Sequence, residues 1–201
     1  MNVGVLVSGS GTNLQAILDA QAKGELGKAR VVVVVSNMAG VRALERAKAA
    51  GVASVVLSHK EYASRQAFDE ALVATLHQFG VELVALAGFM RLLTPTFLGA
   101  FPHRVVNIHP ALLPAFPGIH AQKQALDYGA RVTGCTVHFV DEGCDTGPII
   151  AQATVPVLDG DDEAALTTRI LAEEHRLYPA AIRAIADGRV QVTGRRVTIG
   201  S

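Results

Sequence analysis

Three groups of residues in this 201-residue sequence have types and spacings that could do chemistry. The first is Val106-Asn107-Ile108-His109-Pro110, which continues through Leu112-Leu113-Pro114 to Phe116 and Gly118. Asn107 and His109 are two apart at the end of an aliphatic run that reads as a buried strand, so their side chains face the same side. A carboxamide N–H can stabilise a developing oxyanion, and an imidazole can move protons at neutral pH. Pro110 and Pro114 stop the strand and stiffen its exit. A histidine at a strand end can equally be a structural hydrogen-bonder, and spacing alone leaves both roles open.

The second group is Ser8-Gly9-Ser10-Gly11-Thr12-Asn13, between a short aliphatic run and a helical pattern. Small residues let the backbone approach an anion, and a helix N-terminus presents free N–H groups and a positive dipole end. A dinucleotide fingerprint would have a third Gly where Leu14 stands, and an acidic residue after the second strand where Ser36-Asn37 stand. No Gly-Lys-Ser/Thr follows, so the loop is not a Walker A motif. A plain phosphate monoester suits it best, with an unliganded tight turn as the other reading.

The third group is Asp141-Glu142-Gly143-Cys144-Asp145-Thr146-Gly147-Pro148. Three carboxylates in a Gly-rich loop suggest a metal site, but the EF-hand spacing and its downstream Glu are missing. One carboxylate could instead orient and charge an imidazole. Spacing offers no way to pair Asp145 with His109.

The elements that must position these groups alternate through the first half of the chain. Val3–Val7, Val31–Val35, Ser54–Leu57, Leu83–Ala87 and Val105–Ile108 read as strands. Between them lie a helix capped by Thr12 or Asn13, a helix over Val41–Ala50 closed by Gly51, and one over about Glu61–Phe79 stopped by Gly80. This order predicts an α/β fold of three layers, a mostly parallel twisted sheet with helices on both faces. Ligands of such sheets bind beyond the carboxyl ends of the strands. Val132–Val140 and Ile149–Val157 follow one another without a helix and predict an antiparallel addition in the C-terminal half. A helix over about Glu163–Ala186 and a hairpin over Arg189–Ile199, turning at Thr193-Gly194, complete the pattern. No repeat or linker interrupts it, so residues 1–201 read as one domain.

Half the residues are hydrophobic and 18% are charged, which excludes disorder and predicts a large core. Eighteen Lys and Arg balance eighteen Asp and Glu, so there is no bulk field to hold a nucleic acid or an anionic membrane. Cys135 and Cys144 form no CxxC pair, MNVGVLVSGS lacks the parts of a signal peptide, and no aliphatic run could span a bilayer. The expected compartment is the cytoplasm.

Taken together, SGSGTNLQ near the start, LAGFMRLL at 86–93, VVNIHPALLPAFPG at 105–118, HFVDEGCDTGPII at 138–150 and EEHRLYP at 173–179 resemble the phosphoribosylglycinamide formyltransferases, folate-dependent enzymes of purine biosynthesis. The resemblance spans essentially the whole chain and implies a Rossmann-like formyltransferase fold. It implies a catalytic trio of Asn107, His109 and Asp145. It implies that Gly11, Thr12 and Asn13 hold the phosphate of glycinamide ribonucleotide, with Thr12 where the family often has Ser, and that Glu174 lies near the glycinamide end. Arg65, Met90, Arg91, Leu92, Leu93 and Asn107 match folate-contacting positions. The N-terminal half would then bind the ribonucleotide phosphate, and the C-terminal half the folate.

The implied co-substrate is 10-formyltetrahydrofolate, with no metal, and the partners are small molecules. Monomer and homodimer both remain open. The implied reaction is attack of the ribonucleotide amine on the formyl carbon, with Asn107 and a protonated His109 stabilising the oxyanion. Asp145 would favour that imidazolium by raising the His109 pKa. Rivals from the same superfamily are methionyl-tRNA formyltransferase, which carries a C-terminal tRNA-binding domain, and formyltetrahydrofolate deformylase, which carries an N-terminal regulatory domain. This sequence shows neither extension. A non-catalytic nucleotide-binding module would explain the glycine loop but not the trio.

Overall fold

The computed structural model describes residues 1–200. Its main sheet has seven strands: β1 (Asn2–Val7), β2 (Arg30–Ser36), β3 (Ala53–Val56), β4 (Leu83–Leu86), β5 (Val105–His109), β6 (Val132–Phe139) and β7 (Ile149–Pro156). Their spatial order is β3-β2-β1-β4-β5-β6-β7. The first five are parallel, whereas β6 pairs antiparallel with both β5 and β7. The chain therefore winds outward in one direction from β1 to β3 and in the other from β4 onward, and the switch point lies between β1 and β4.

Side-chain alternation divides the core into two layers. Val3, Val5, Val7, Val106, Ile108, Cys135 and Val137 pack on one face with α1 (Thr12–Ala22), α2 (Arg42–Ala49) and α6 (Glu163–Ala186). Leu6, Val33, Val35, Val84, Leu86 and Val105 pack on the other with α3 (Arg65–Gln78) and α4 (Pro95–Ala100). Tyr178 of α6 is fully buried, and its hydroxyl lies 2.9 Å from the Leu86 carbonyl and 3.0 Å from that of Val106. It pins the long helix across β4 and β5. Residues Val190–Thr193 (β8) and Arg196–Ile199 (β9) form the expected hairpin.

Three local features differ from the sequence reading. The helix expected from Glu61 starts at Arg65, because the Ser64 hydroxyl caps it by accepting from Ala67 N at 3.0 Å. His59–Glu61 form a separate 3₁₀ turn. Neither Thr12 nor Asn13 caps α1; the cap residue is Gly11 in the left-handed conformation, with no side-chain capping bond. Two short helices, α4 and α5 (Ala121–Tyr128), went unforeseen, being six and eight residues long and flanked by Pro, His and Gly.

Candidate functional site

Asn107 and His109 do share a face of β5, and the antiparallel register sets β6 beside them, with Asn107 opposite His138 and His109 opposite Thr136. Alternation in β6 turns Cys135 and Val137 into the core and Thr136 and His138 toward the same side as Asn107 and His109. Thr136 is buried, and its hydroxyl donates to the Ala111 carbonyl at 2.6 Å while accepting from Leu113 N at 3.0 Å. That double bond fixes the path of the chain leaving His109.

Asp145 closes the group. Its Oδ2 lies 3.4 Å from His109 Nδ1 and accepts from Gly118 N at 2.8 Å, while its Oδ1 lies 3.6 Å from His138 Nε2. The link that spacing could not supply is therefore present, at ion-pair distance rather than as a tight hydrogen bond. Burial works to raise the Asp145 carboxyl, but the His138 ring, the Gly118 N–H and the His109 charge outweigh it and hold the pKa at about 2.

His138 was not singled out from the sequence. Its Nδ1 lies 2.8 Å from the Phe139 carbonyl, which can only accept, so the proton of a neutral ring belongs there. In that form Nε2 accepts from Asn107 Nδ2 at 3.3 Å, whereas donating to Asp145 Oδ1, 3.6 Å away, requires a proton on Nε2 instead. This assignment orients the Asn107 carboxamide and leaves its second N–H available. The cross-strand register was the only signal that could have found it.

His109 is 4% exposed, with Nε2 2.8 Å from the Phe116 carbonyl. Its pKa falls below the ordinary 6.5, because burial outweighs the Phe116 carbonyl and the Asp145 charge, and His138 adds to the lowering. Asp145 acts in the expected direction, favouring the charged ring, but it pushes the pKa up less than desolvation pushes it down, so burial sets the net direction. Both ring nitrogens nonetheless face acceptors, so a proton gained by this ring meets partners already in place.

The loop Ser8–Asn13 joins β1 to α1 beside the switch point. A cleft of about 180 Å³ is lined by this whole loop together with Ala87, Gly88 and Met90 from the end of β4. At Gly11, with φ 69°, a Cβ would overlap Ala43 of α2, so the close approach of helix and loop requires glycine. Arg46 of α2 donates from Nε to the Ser10 carbonyl at 2.9 Å and from Nη1 to Gln15 Oε1 at 2.8 Å, bracing the loop from outside. Nothing in the sequence flagged Arg46.

Glu174, on α6, lies beneath this loop and is 4% exposed, where an ordinary helix glutamate would be solvated. Its carboxyl accepts from Asn13 Nδ2 at 2.7 Å. Burial raises its pKa to about 7, and the Asn13 bond only partly opposes this.

The positions matched to folate contacts divide into four places. Arg65, Leu92 and Leu93 line a cleft of about 490 Å³ together with Ser64, Thr94 and Glu142 of the Asp145 loop. Met90 lines the glycine-loop cleft instead, and Asn107 sits on β5 beside His138. The Arg91 guanidinium stacks over the Phe68 ring, 5.2 Å from its centroid. Leu93 is buried, whereas Met90 and Leu92 are 74% and 57% exposed.

Burial pushes the Cys135 thiol up to about 12, so it holds no thiolate at neutral pH. Among the described residues no cluster of three or more His, Cys, Asp or Glu has metal-holding geometry, and no helix is long and apolar enough to cross a membrane.

The sequence pattern of the formyl transferase family matches residues 1–182. The chain is 50% identical over 196 residues to a phosphoribosylglycinamide formyltransferase of Mycobacterium tuberculosis, covering 98% of this chain and 90% of that protein. It is 52% identical over 190 residues to the trifunctional purine biosynthetic protein adenosine-3 of Drosophila pseudoobscura pseudoobscura, covering 94% of this chain. There it spans only 14% of the relative's length. The crystal structure of glycinamide ribonucleotide transformylase 1 from Symbiobacterium toebii superposes with a TM-score of 0.98 at 57% identity, covering 100% of this chain and 94% of that one. Matching that family's pattern over most of its length, and sharing fold and sequence with its members, the chain belongs to the formyl transferase family.

Proposed function

We propose that this chain transfers the formyl group of 10-formyltetrahydrofolate to the amine of N1-(5-phosphoribosyl)glycinamide, giving formylglycinamide ribonucleotide and tetrahydrofolate in de novo purine biosynthesis. One observation carries this reading. The glycine loop, the Met90 loop and the Asn107–His109 pair leave the carboxyl ends of β1, β4 and β5, which are neighbours in the sheet. This adjacency supports reading the loop as an anion cradle and the pair as an acyl-transfer group working beside it, next to the switch point.

In this reading the helix N-terminus at Gly11-Thr12-Asn13 holds the ribonucleotide phosphate. Glu174, whose carboxyl accepts from Asn13 Nδ2, meets the ribonucleotide next to this cradle rather than at the far glycinamide end the resemblance implied, and the Arg65, Leu92 and Leu93 cleft takes the folate. The amine attacks the formyl carbon while the free Asn107 N–H receives the developing oxyanion. The attacking nitrogen must lose a proton and the departing folate nitrogen must gain one. His109, neutral at rest through burial and with Nε2 held by the Phe116 carbonyl, takes the first at Nδ1, beside Asp145, and returns it to the second. The charge it carries between these steps is stabilised by Asp145, which is ionised at neutral pH. Holding both substrates on one rigid sheet edge supplies much of the remaining acceleration. The free thiols Cys135 and Cys144 suit a cytoplasmic setting, and residues 1–201 act as one unit in this scheme.

The test is the pair His109→Ala and Asp145→Asn. Each is expected to lower kcat by at least about a hundred-fold, the usual contribution of a positioned acid–base group, with circular dichroism and Tm showing a folded protein. Turnover near the wild-type rate in either variant refutes these roles.

A further inference from the structure

The C-terminal hairpin takes no part in the chemistry above, yet one of its side chains reaches the loop that carries Asp145. Arg195, in the turn between β8 and β9, donates from Nη2 to the Thr146 carbonyl at 2.9 Å, across 49 residues of sequence. The rest of that loop largely ties itself together. Asp141 Oδ1 accepts from Gly143 N at 3.2 Å and from Thr146 Oγ1 at 2.6 Å, and Phe139 N donates to the Pro148 carbonyl at 2.9 Å across its base. A Cβ on Gly147 would overlap the Phe139 carbonyl, so the chain is pressed close there.

Asp145 itself sits at φ 55°, in the left-handed region that non-glycine residues seldom occupy. Such a conformation persists only where its surroundings over-determine it. The carbonyl that Arg195 holds belongs to Thr146, the next residue along the chain. The separations from Asp145 to His109 and His138, 3.4 and 3.6 Å, are already longer than a charge-assisted hydrogen bond. Any outward drift of the loop weakens both. The hairpin can resist that drift because Val190, Val192 and Val197 pack against the core and Gly200 N donates to the Arg189 carbonyl at 2.8 Å.

We infer that Arg195 is a positioning residue: the C-terminal hairpin holds the 141–148 loop so that Asp145 faces His109 and His138. This rests on the reading of Asp145 as part of the catalytic trio. The experiment compares wild type, Arg195→Ala, Arg195→Lys and Asp145→Asn in the full chain. Losing one charge-assisted hydrogen bond to a solvent-exposed carbonyl is expected to lower kcat about five-fold in Arg195→Ala, with ribonucleotide KM unchanged. Arg195→Lys keeps a cationic donor and is expected to recover most of that loss.

Two readouts do not depend on turnover. Amide exchange at residues 143–147 should quicken in Arg195→Ala while the strands keep their protection. The His109 ring, faced by Asp145, His138 and the Phe116 carbonyl, should titrate at still lower pH by NMR, because the charge that raises its pKa has receded. Unchanged exchange, an unchanged His109 titration, or protection lost throughout the strands each overturns the inference. Full kcat in Asp145→Asn would instead refute the trio, leaving exchange to judge the Arg195 grip by itself.

Discussion

Replacing Glu174 by glutamine should stabilise the protein at alkaline pH. Glu174 is 4% exposed, its stabilising partner is the neutral Asn13 amide, and burial carries its pKa to about 7. A carboxyl whose folded pKa lies above its unfolded one contributes stability that is fully present below the unfolded pKa and is lost as pH rises through the folded value. The window therefore opens near 4.5 and closes just above 7. Across it the wild-type protein loses about 3 kcal/mol, at about 1.4 kcal/mol for each tenfold change in proton affinity. Glutamine has nothing to ionise, keeps an oxygen to accept from Asn13, and brings an N–H₂ group toward Asn13 Oδ1, a buried atom without a hydrogen-bond partner.

Urea unfolding of both proteins at pH 5 and pH 8.5 measures the difference. Little separation is expected at pH 5. At pH 8.5 Glu174→Gln should be more stable by about 3 kcal/mol, a rise in Tm of about 6–12 °C. Ribonucleotide affinity should fall in the same variant, since the carboxylate is proposed to meet that substrate. A variant no more stable at pH 8.5, or a gap equal at both pH values, would refute the assignment of a buried, costly carboxylate.

Thr12→Asp places a negative charge in the first turn of α1, where the dipole tolerates it, so the fold should survive. Its ribonucleotide KM should rise at least about ten-fold by repulsion of the phosphate, and an unchanged KM would count against the cradle. Tyr178→Phe removes a buried hydroxyl facing two backbone carbonyls, and a loss of about 1–3 kcal/mol in urea unfolding is expected. Asp145→Asn should alter acid unfolding: with its pKa at about 2, the ionised Asp145 stabilises the wild type above about pH 4, and that contribution fades as pH falls through 2. The difference between the two proteins should narrow over that range.

Most of the sheet was legible because its strands are aliphatic runs closed by turn residues, and these signals are local. Asn107 and His109 were legible as a pair because strand alternation puts i and i+2 on one face. Asp145 and Glu174 carry no such local signal. Asp145 meets His109 only because β5 and β6 are antiparallel neighbours and the loop returns through a left-handed residue. Glu174 looked like a solvated helix position, and its burial depends on α6 crossing the end of α1. His138 carries no local signal either, and its significance comes from the register that places it opposite Asn107. The direction in which Asp145 pushes His109 is legible from the motifs, whereas the depth of burial that outweighs it is not.

The decisive measurement is tetrahydrofolate formation from 10-formyltetrahydrofolate, followed with and without N1-(5-phosphoribosyl)glycinamide, with mass spectrometry of the ribonucleotide. The expected result is folate release only when the ribonucleotide is present, matched one for one by its formylated product. Release at the same rate without the ribonucleotide would make water the acceptor and contradict the proposed transfer.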